Sequence, residues 1–268
     1  IRDRDNRPIG VFDSGIGGLT VVNSLANVLP RETILYVGDT ARVPYGNKSS
    51  DRIQVFSHEI TQWLIEQDCK MVIAACNTAS SLALDYLKSK FSVSIIGVIS
   101  PGVDYAVQAT NNRNIGVLGT QATIHSDAYG KKLRSIQSDI TVVSQSCPLF
   151  VPLAEEGWVE GNVPLAIAKT YLQPLQKSIV DTVILGCTHY PLLKGIIRDI
   201  LGVDVNLVDS GEATADVVES IIVKNNYASD NQQGGIHCFV TDAPDSFDAL
   251  ASRFVHASIS ATTHIDIS

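Results

Sequence analysis

Two cysteines, each at the end of a short apolar run, are the residues of this chain best suited to chemistry. Cys76 follows Met71–Ala75, and Cys187 follows Thr182–Gly186. Beyond each cysteine, apolar residues recur at intervals of three and four, which predicts a helix. Ligands of open α/β sheets bind at the carboxyl ends of strands, so we expect both thiols at a ligand-binding edge. A helix N-terminus beside each cysteine would favour its thiolate form.

A pair of facing thiols allows acid–base chemistry on both faces of one carbon atom. One thiolate removes a proton from one face and the other thiol returns a proton to the opposite face, which inverts the stereocentre without a cofactor. Asp13 and His189 are candidates to relay a proton or to adjust the pKa of a thiol. The remaining cysteines, Cys69, Cys147 and Cys238, are interpreted as inert packing residues.

The same residues support two other hypotheses. Cys187 and His189 suit a nucleophile–base pair for acyl transfer, as in a thiol amidase. That interpretation leaves Cys76 without a role, since Thr78 occupies the position that corresponds to His189. A non-catalytic two-domain binding protein for an amino acid would need neither thiol. Replacing each cysteine separately discriminates among these hypotheses, because inversion needs both.

Polar side chains also follow other predicted strands. The segment Asp13–Gly18 follows the predicted strand Ile9–Phe12 and combines a carboxylate with three glycines. Pro44–Asn47 has strong turn chemistry. Thr120 stands at the end of a later predicted strand. Because strand ends meet ligands in open α/β sheets, we expect Asp13 and Thr120 to face a ligand.

Predicted strands and helices alternate along the chain, which is typical of parallel sheets with helices on both faces. The predicted fold class is α/β, with two similar domains, each a mostly parallel sheet flanked by helices, and the active site between them. Residues 1–98 and 210–268 form the first, discontinuous domain, and residues 99–209 form the second. We expect Pro174 to bend or end the helix predicted over Pro164–Lys177.

Composition limits the class of partner. The chain has 268 residues, of which 45% are hydrophobic, and a net charge of −8. A main role in nucleic-acid binding is disfavoured, because phosphate binding needs a basic face. No apolar run reaches the length of about 18 residues that predicts a membrane-spanning helix. The charged segment Ile1–Arg7 does not resemble a signal peptide.

The five cysteines indicate a compartment and disfavour a metal site. Their odd number and wide spacings favour a reducing cytoplasm over a disulfide framework. Cys187 and His189 alone fall short of the four ligands of a structural zinc site, so we expect no metal.

Several segments together resemble the glutamate racemases of the aspartate/glutamate racemase superfamily. In chain order they are Gly10–Gly18, Asp39–Thr40 with Pro44–Gly46, Ala75–Ala79, Pro148–Leu153 and Gly186–Leu192. An aspartate racemase of the same superfamily is the alternative within it. Comparing the turnover of D-glutamate and D-aspartate would separate the two.

The resemblance implies an isomerase that interconverts L- and D-glutamate without a cofactor and supplies D-glutamate for peptidoglycan, and so for cell-wall biogenesis and cell shape. The catalytic residues that it implies are Cys76, Cys187, Asp13, His189 and Glu155, with Glu156 as the alternative to Glu155. The substrate-binding residues that it implies are Asp13, Ser14, Pro44, Tyr45, Gly46, Asn77, Thr78, Thr120, Thr188 and His189. Small hydroxyl and amide groups at helix starts suit two carboxylates without a dedicated arginine. The expected partner is glutamate, with no metal, nucleic acid or membrane. Members of the family often form homodimers, which is the assembly that the resemblance implies.

Overall fold

Two parallel β-sheets, each flanked by helices, organise the chain. The structure is a computed structural model that describes residues 4–267. Residues 1–3 and 268, the two ends of the predicted first domain, lie outside the described residues. The predicted α/β class, with two parallel sheets, is confirmed.

The strands of the described chain are β1 (Ile9–Asp13), β2 (Ile34–Gly38), β3 (Met71–Ala74), β4 (Ser94–Gly97), β5 (Asn114–Gly119), β6 (Thr141–Ser146), β7 (Thr182–Gly186), β8 (Asn206–Asp209), β9 (Ile236–Val240) and β10 (Thr263–His264). The first sheet has the order β10-β9-β2-β1-β3-β4, and the second has the order β6-β5-β7-β8. Every pair is parallel, and register sets Asp13 opposite Gly38 in the first sheet and Gly119 opposite Gly186 in the second. The carboxyl ends of neighbouring strands therefore lie side by side at one edge of each sheet.

The helices are α1 (Leu19–Val28), α2 (Ser50–Glu66), α3 (Asn77–Leu82), α4 (Leu84–Lys90), α5 (Ile99–Ala109), α6 (Gln121–Ser126), α7 (Ala128–Ile136), α8 (Phe150–Glu155), α9 (Asn162–Lys177), α10 (Lys194–Leu201), α11 (Ser210–Asn225) and α12 (Pro244–Ala251). Two short 3-10 helices cover Tyr45–Asn47 and Tyr190–Leu193. None of the helices within residues 4–267 has the length and apolar character needed to cross a bilayer.

Buried apolar side chains explain why both sheets form. Every residue of β1, β3 and β7 is buried, as expected for parallel strands with helices on both faces. Successive residues alternate between the faces: Val11 packs with α1 and α11, whereas Phe12 packs with α2. Side-chain caps fix several helix starts. Asp209, for example, accepts the N–H of Gly211 at 2.8 Å as α11 begins.

The chain crosses between the sheets twice. Strands up to Gly97 and from Ile236 onward belong to the first sheet, and strands from Asn114 to Asp209 belong to the second. This membership supports the predicted division at residues 98/99 and 209/210, which stays a prediction. The helices that start at the two crossings, α5 and α11, pack against each other.

Two local expectations differ from the structure. Cys187 is followed by a turn and a 3-10 helix, and α10 begins only at Lys194, so no α-helix starts directly beside this thiol. Pro174 does not end α9, which continues to Lys177. The buried Leu172 and Leu175 flank Pro174, and their packing outweighs the local cost of the missing N–H.

Candidate active site

A cavity of about 440 Å³ lies where the carboxyl ends of the two sheets meet. Its walls come from the loops after β1, β2 and β3 of the first sheet and after β5, β6 and β7 of the second. The lining residues are Ser14, Gly15, Val43, Pro44, Tyr45, Gly46, Asn47, Cys76, Asn77, Thr78, Thr120, Gln121, Pro148, Val151, Pro152, Glu155, Cys187, Thr188 and His189. This volume is typical of small-molecule sites.

Cys76 occupies the first-sheet wall of the cavity. It is the N-cap residue of α3, and its thiol lies 3.8 Å from the hydroxyl of Ser14. Burial raises the pKa of the Cys76 thiol to about 12, with a further contribution from the negative charge of Asp13. Backbone N–H groups at the start of α3 oppose this shift but do not outweigh burial. The start of α3 therefore lowers the pKa of Cys76, as expected, but burial has the larger effect, so the thiol is the stable form at neutral pH.

Cys187 occupies the second-sheet wall beside a histidine and a glutamate. Its Sγ lies 3.9 Å from Nδ1 of His189, and Nε2 of His189 lies 2.9 Å from Oε1 of Glu155. An ionised carboxylate can only accept, so Nε2 of His189 donates to it. In a neutral imidazole Nδ1 is then left as the acceptor that faces the Cys187 thiol. Burial raises the pKa of Cys187 well above its ordinary value, so this cysteine too is a thiol at neutral pH.

Asp13 lies behind the cavity wall rather than among the lining residues. It is 1% exposed, and its Oδ2 accepts the N–H of Gly15 at 3.1 Å. Its other oxygen, Oδ1, is buried and has no hydrogen-bond partner among residues 4–267. Burial raises the pKa of Asp13, and the nearby His189 partly offsets that effect. Asp13 can therefore influence Cys76 through its charge without lining the cavity.

The other residues assigned from the resemblance all line the cavity. The position of Tyr45 is fixed by its hydroxyl, which donates to the fully buried carboxylate of Asp39 behind the cavity wall. Oγ1 of Thr78 lies 2.9 Å from Oγ1 of Thr120, which joins the two domains across the cavity. Thr188 is fixed from the first domain, since the hydroxyl of Thr20 donates to its carbonyl oxygen at 2.9 Å.

Sequence analysis missed some of the lining residues and the segment that supports His189. The unassigned lining residues are Gly15, Val43, Asn47, Gln121, Pro148, Val151 and Pro152. All of them flank assigned positions or lie in the Pro148–Leu153 segment, so proximity in sequence could have indicated them. Phe254, which follows α12, meets the His189 ring edge-on at 5.4 Å between centroids. Arg253 donates to the carbonyl oxygen of Glu155. No local pattern links these C-terminal residues to His189.

The charged groups of the site are few: Glu155 is the acidic side chain of its lining, beside thiols, neutral polar groups and apolar side chains. None of the lining residues in the described chain is a lysine or arginine. Within residues 4–267, no group of three or more His, Cys, Asp or Glu residues is arranged to hold a metal ion.

Two parallel sheets each contribute one thiol to a shared cleft, which is the arrangement expected of a racemase that inverts a carbon with two thiols. The sequence model of the family described as Asp/Glu/Hydantoin racemase matches residues 9–218. The chain belongs to this family.

Individual relatives agree over nearly the whole chain. The chain is 46% identical to the glutamate racemase of Geobacter metallireducens over 250 residues, which cover 93% of each protein. A solved glutamate racemase from Bacillus anthracis superposes with a TM-score of 0.95 at 37% identity, covering 98% of this chain and 99% of that one. The glutamate racemase of Francisella tularensis, solved in complex with D-glutamate, superposes with a TM-score of 0.92 at 38% identity and 98% coverage of both chains.

Proposed function

We propose that this enzyme interconverts L- and D-glutamate without a cofactor, with Cys76 and Cys187 as its two acid–base groups. One observation carries the proposal: two thiols from different sheets line one small cavity. A binding protein would need neither thiol and an amidase would need one. The relatives named glutamate racemase, one of them solved with D-glutamate, support glutamate as the substrate.

The proposed reaction moves one proton in each of two steps. A thiolate takes the α-hydrogen as a proton, and the electron pair of the broken C–H bond stays on the α-carbon. The opposite thiol then gives its proton to the other face of that carbon and becomes a thiolate. The product is the mirror image of the substrate, and the two sulfurs have exchanged protonation states. The same pair therefore serves both directions.

Each thiol has a neighbour that can accept its proton. Burial raises the pKa of both cysteines, which favours the thiol at neutral pH, so forming the reactive thiolate needs a base. Nδ1 of His189 is 3.9 Å from the Cys187 sulfur, and Glu155 would stabilise the imidazolium that forms. Asp13 is proposed to act in the same way toward Cys76, because its charge reaches that thiol.

We propose that neutral donors hold the two carboxylates of the substrate. Cavity hydroxyl, amide and backbone N–H groups come from both domains, and hydrogen bonds to charged acceptors are stronger than those between neutral groups. The proposed substrate-binding residues are Ser14, Pro44, Tyr45, Gly46, Asn77, Thr78, Thr120, Thr188 and His189, with Asp13 behind them. Such a set leaves both faces of the α-carbon open to the thiols.

The biological setting is proposed from the family and from composition. D-glutamate made by the enzyme would supply peptidoglycan synthesis. The five cysteines are all free in the structure, which supports a reducing cytoplasm. A homodimer rests on the family resemblance, and light scattering during size-exclusion chromatography would test it.

The decisive experiment replaces the two thiols one at a time. The purified enzyme, dialysed against EDTA and given no cofactor, should change the circular dichroism of L-glutamate to that of the racemic mixture. Cys76→Ser and Cys187→Ser should each abolish this change, because a hydroxyl is too weak an acid to replace a thiol. Cys238→Ser, at a buried cysteine of β9 away from the cavity, should retain activity. Racemisation by Cys76→Ser at the parent rate would refute the two-base mechanism.

The stereochemistry of residual exchange gives a second test. In D₂O each variant keeps one thiol and can exchange the α-hydrogen of one enantiomer without inverting it. The resemblance implies that Cys76 serves D-glutamate and Cys187 serves L-glutamate. Proton NMR should therefore show opposite enantiomer preferences for the two variants, and a shared preference would contradict the proposal.

A further inference from the structure

Tyr129 of α7 contacts the residue next to each reactive cysteine. It belongs to the second domain and is fully buried. Its hydroxyl lies 2.7 Å from Nδ2 of Asn77, the residue after Cys76 in the first domain. A β-carbon added to Gly186, the residue before Cys187, would lie only 3.1 Å from Cε2 of the Tyr129 ring. One side chain thus contacts the two segments that carry the thiols, residues 75–77 and 186–188, which we call the Cys76 loop and the Cys187 loop.

The hydroxyl of Tyr129 belongs to a series of hydrogen bonds in which each hydroxyl accepts from one neighbour and donates to the next. It lies 3.0 Å from Oγ of Ser210, which donates to the carbonyl oxygen of Leu185 at 3.3 Å. Because the Ser210 proton is used there, the Tyr129 hydroxyl donates to Ser210 and accepts from Asn77. The amide of Asn77 is therefore held with its nitrogen toward Tyr129, which fixes the amide plane beside Cys76.

These hydrogen bonds lie at the point where the polypeptide crosses between domains. Ser210 is the first residue of α11, directly after the second crossing. A β-carbon at Gly102 of α5, the helix after the first crossing, would lie 2.8 Å from Oγ of Ser210. Buried polar networks of this kind are costly unless every member is satisfied, so they favour one arrangement of the domains.

We infer that Tyr129 is a positioning residue that holds the Cys76 and Cys187 loops at the separation the reaction needs. It acts through Asn77 on one side and through its packing on Gly186 on the other, and it does not touch the reacting atoms. The inference rests on the proposed function for the identity of the two reacting thiols. It adds a residue outside the cavity lining to the machinery of inversion.

A double-mutant cycle tests the route through Asn77. Tyr129→Phe keeps the ring and leaves a buried amide N–H unpaired, so kcat/KM should fall by about tenfold. In an Asn77→Ala background the same substitution should cost no further activity, because the group that Tyr129 orients is gone. Equal losses in both backgrounds would overturn the inference, and so would an unchanged kcat/KM for Tyr129→Phe alone. Should Tyr129→Phe fail to fold, Ser210→Ala removes the next hydrogen bond and is judged by the same two outcomes.

A matched control separates positioning from simple loss of a buried hydroxyl. Tyr190 is equally buried in the second domain, and its hydroxyl donates to the carbonyl oxygen of Cys147 at 2.9 Å. Tyr190→Phe should lower the unfolding temperature about as much as Tyr129→Phe while keeping kcat/KM near the parent value. A tenfold loss for both variants would count against a special role for Tyr129.

A measurement without substrate tests the inference independently of the proposed function. Tyr129→Phe should speed alkylation of Cys76 and Cys187 by iodoacetamide, read by peptide mass spectrometry, because the two loops separate more easily. Cys69, Cys147 and Cys238 are buried internal controls whose alkylation should not change. Faster alkylation of all five cysteines, or of none, would refute the positioning role. A parent enzyme that does not racemise glutamate would refute the proposed function and leave this result to be judged by itself.

Discussion

Replacing Glu155 by glutamine tests whether the carboxylate behind His189 supports proton transfer at Cys187. Glu155 is the last residue of α8, and its Oε1 lies 2.9 Å from Nε2 of His189. Glutamine has the same size and keeps an oxygen that can accept this bond. The substitution therefore removes the negative charge and leaves the geometry in place.

The expected magnitude follows from the exposure of the pair. The side chain of His189 is 7% exposed and that of Glu155 is 36% exposed. A hydrogen bond to a charged group contributes about 1.5–3 kcal/mol, and the exposure of Glu155 places this one at the lower end because water screens it. A loss of about 1.5 kcal/mol in the step that charges His189 corresponds to a roughly tenfold fall in kcat.

The neighbouring residue provides the matched control. Glu156 is exposed and makes no hydrogen bond to His189 in the described chain, so Glu156→Gln removes one charge from the same turn without touching the pair. Racemisation of both enantiomers should be followed by circular dichroism for the parent and the two variants. Parent-level turnover in Glu155→Gln, or an equal loss in Glu156→Gln, would refute the assignment.

Isotope effects locate the defect on one side of the cavity. Glu155→Gln slows the step at Cys187, so that step becomes more rate-limiting. The α-deuterium isotope effect on kcat/KM should then rise for the enantiomer that Cys187 deprotonates, which the resemblance implies is L-glutamate, and fall for the other. Equal changes for the two enantiomers would show that Glu155 does not act through Cys187.

Three further predictions concern residues around the site. Asp13→Asn should lower turnover by about 10²–10⁴ without lowering the unfolding temperature, because burial already disfavours the charge of Asp13; near-parent turnover would remove its assigned role. Gly17→Ala should lower kcat/KM by at least about tenfold, because a β-carbon there would collide with Thr188 and His189. Gly195→Ala, at a position with open space around it, should leave kcat/KM unchanged. Equal activities of the two variants would show that the close approach of Gly17 to Thr188 and His189 is not needed. Burial raises the pKa of all five thiols. Keeping the thiols protonated therefore contributes its full stabilisation of the folded state at pH values below the unfolded pKa of about 9, and this stabilisation is lost as pH rises through the folded pKa values. Urea unfolding at pH 7 and pH 10 should therefore give a smaller free energy at pH 10, and an unchanged value would contradict the raised pKa values.

The sequence by itself determined the features that depend on neighbouring residues. Alternation of apolar runs with helical periods predicted the α/β class, since these patterns repeat over a few residues. The position of Cys76 and Cys187 directly after buried strands predicted that both thiols lie at carboxyl ends, because a parallel sheet brings those ends to one edge. The acid–base roles of the two thiols came from their types and positions, the substrate-binding residues and Glu155 came from the family resemblance, and all of these roles stay predictions.

Only the tertiary structure decided what depends on residues far apart in the chain. It distinguished Glu155 from Glu156, because the direction of each side chain relative to His189 depends on how α8 packs. It also showed that burial, which sums the exclusion of water by many distant residues, raises the pKa of Cys76 by more than one short helix lowers it. The contacts of Tyr129 with Asn77 and Gly186 have no local signal, because the three residues lie far apart in the chain and the contact with Asn77 forms only once the two domains have closed on each other.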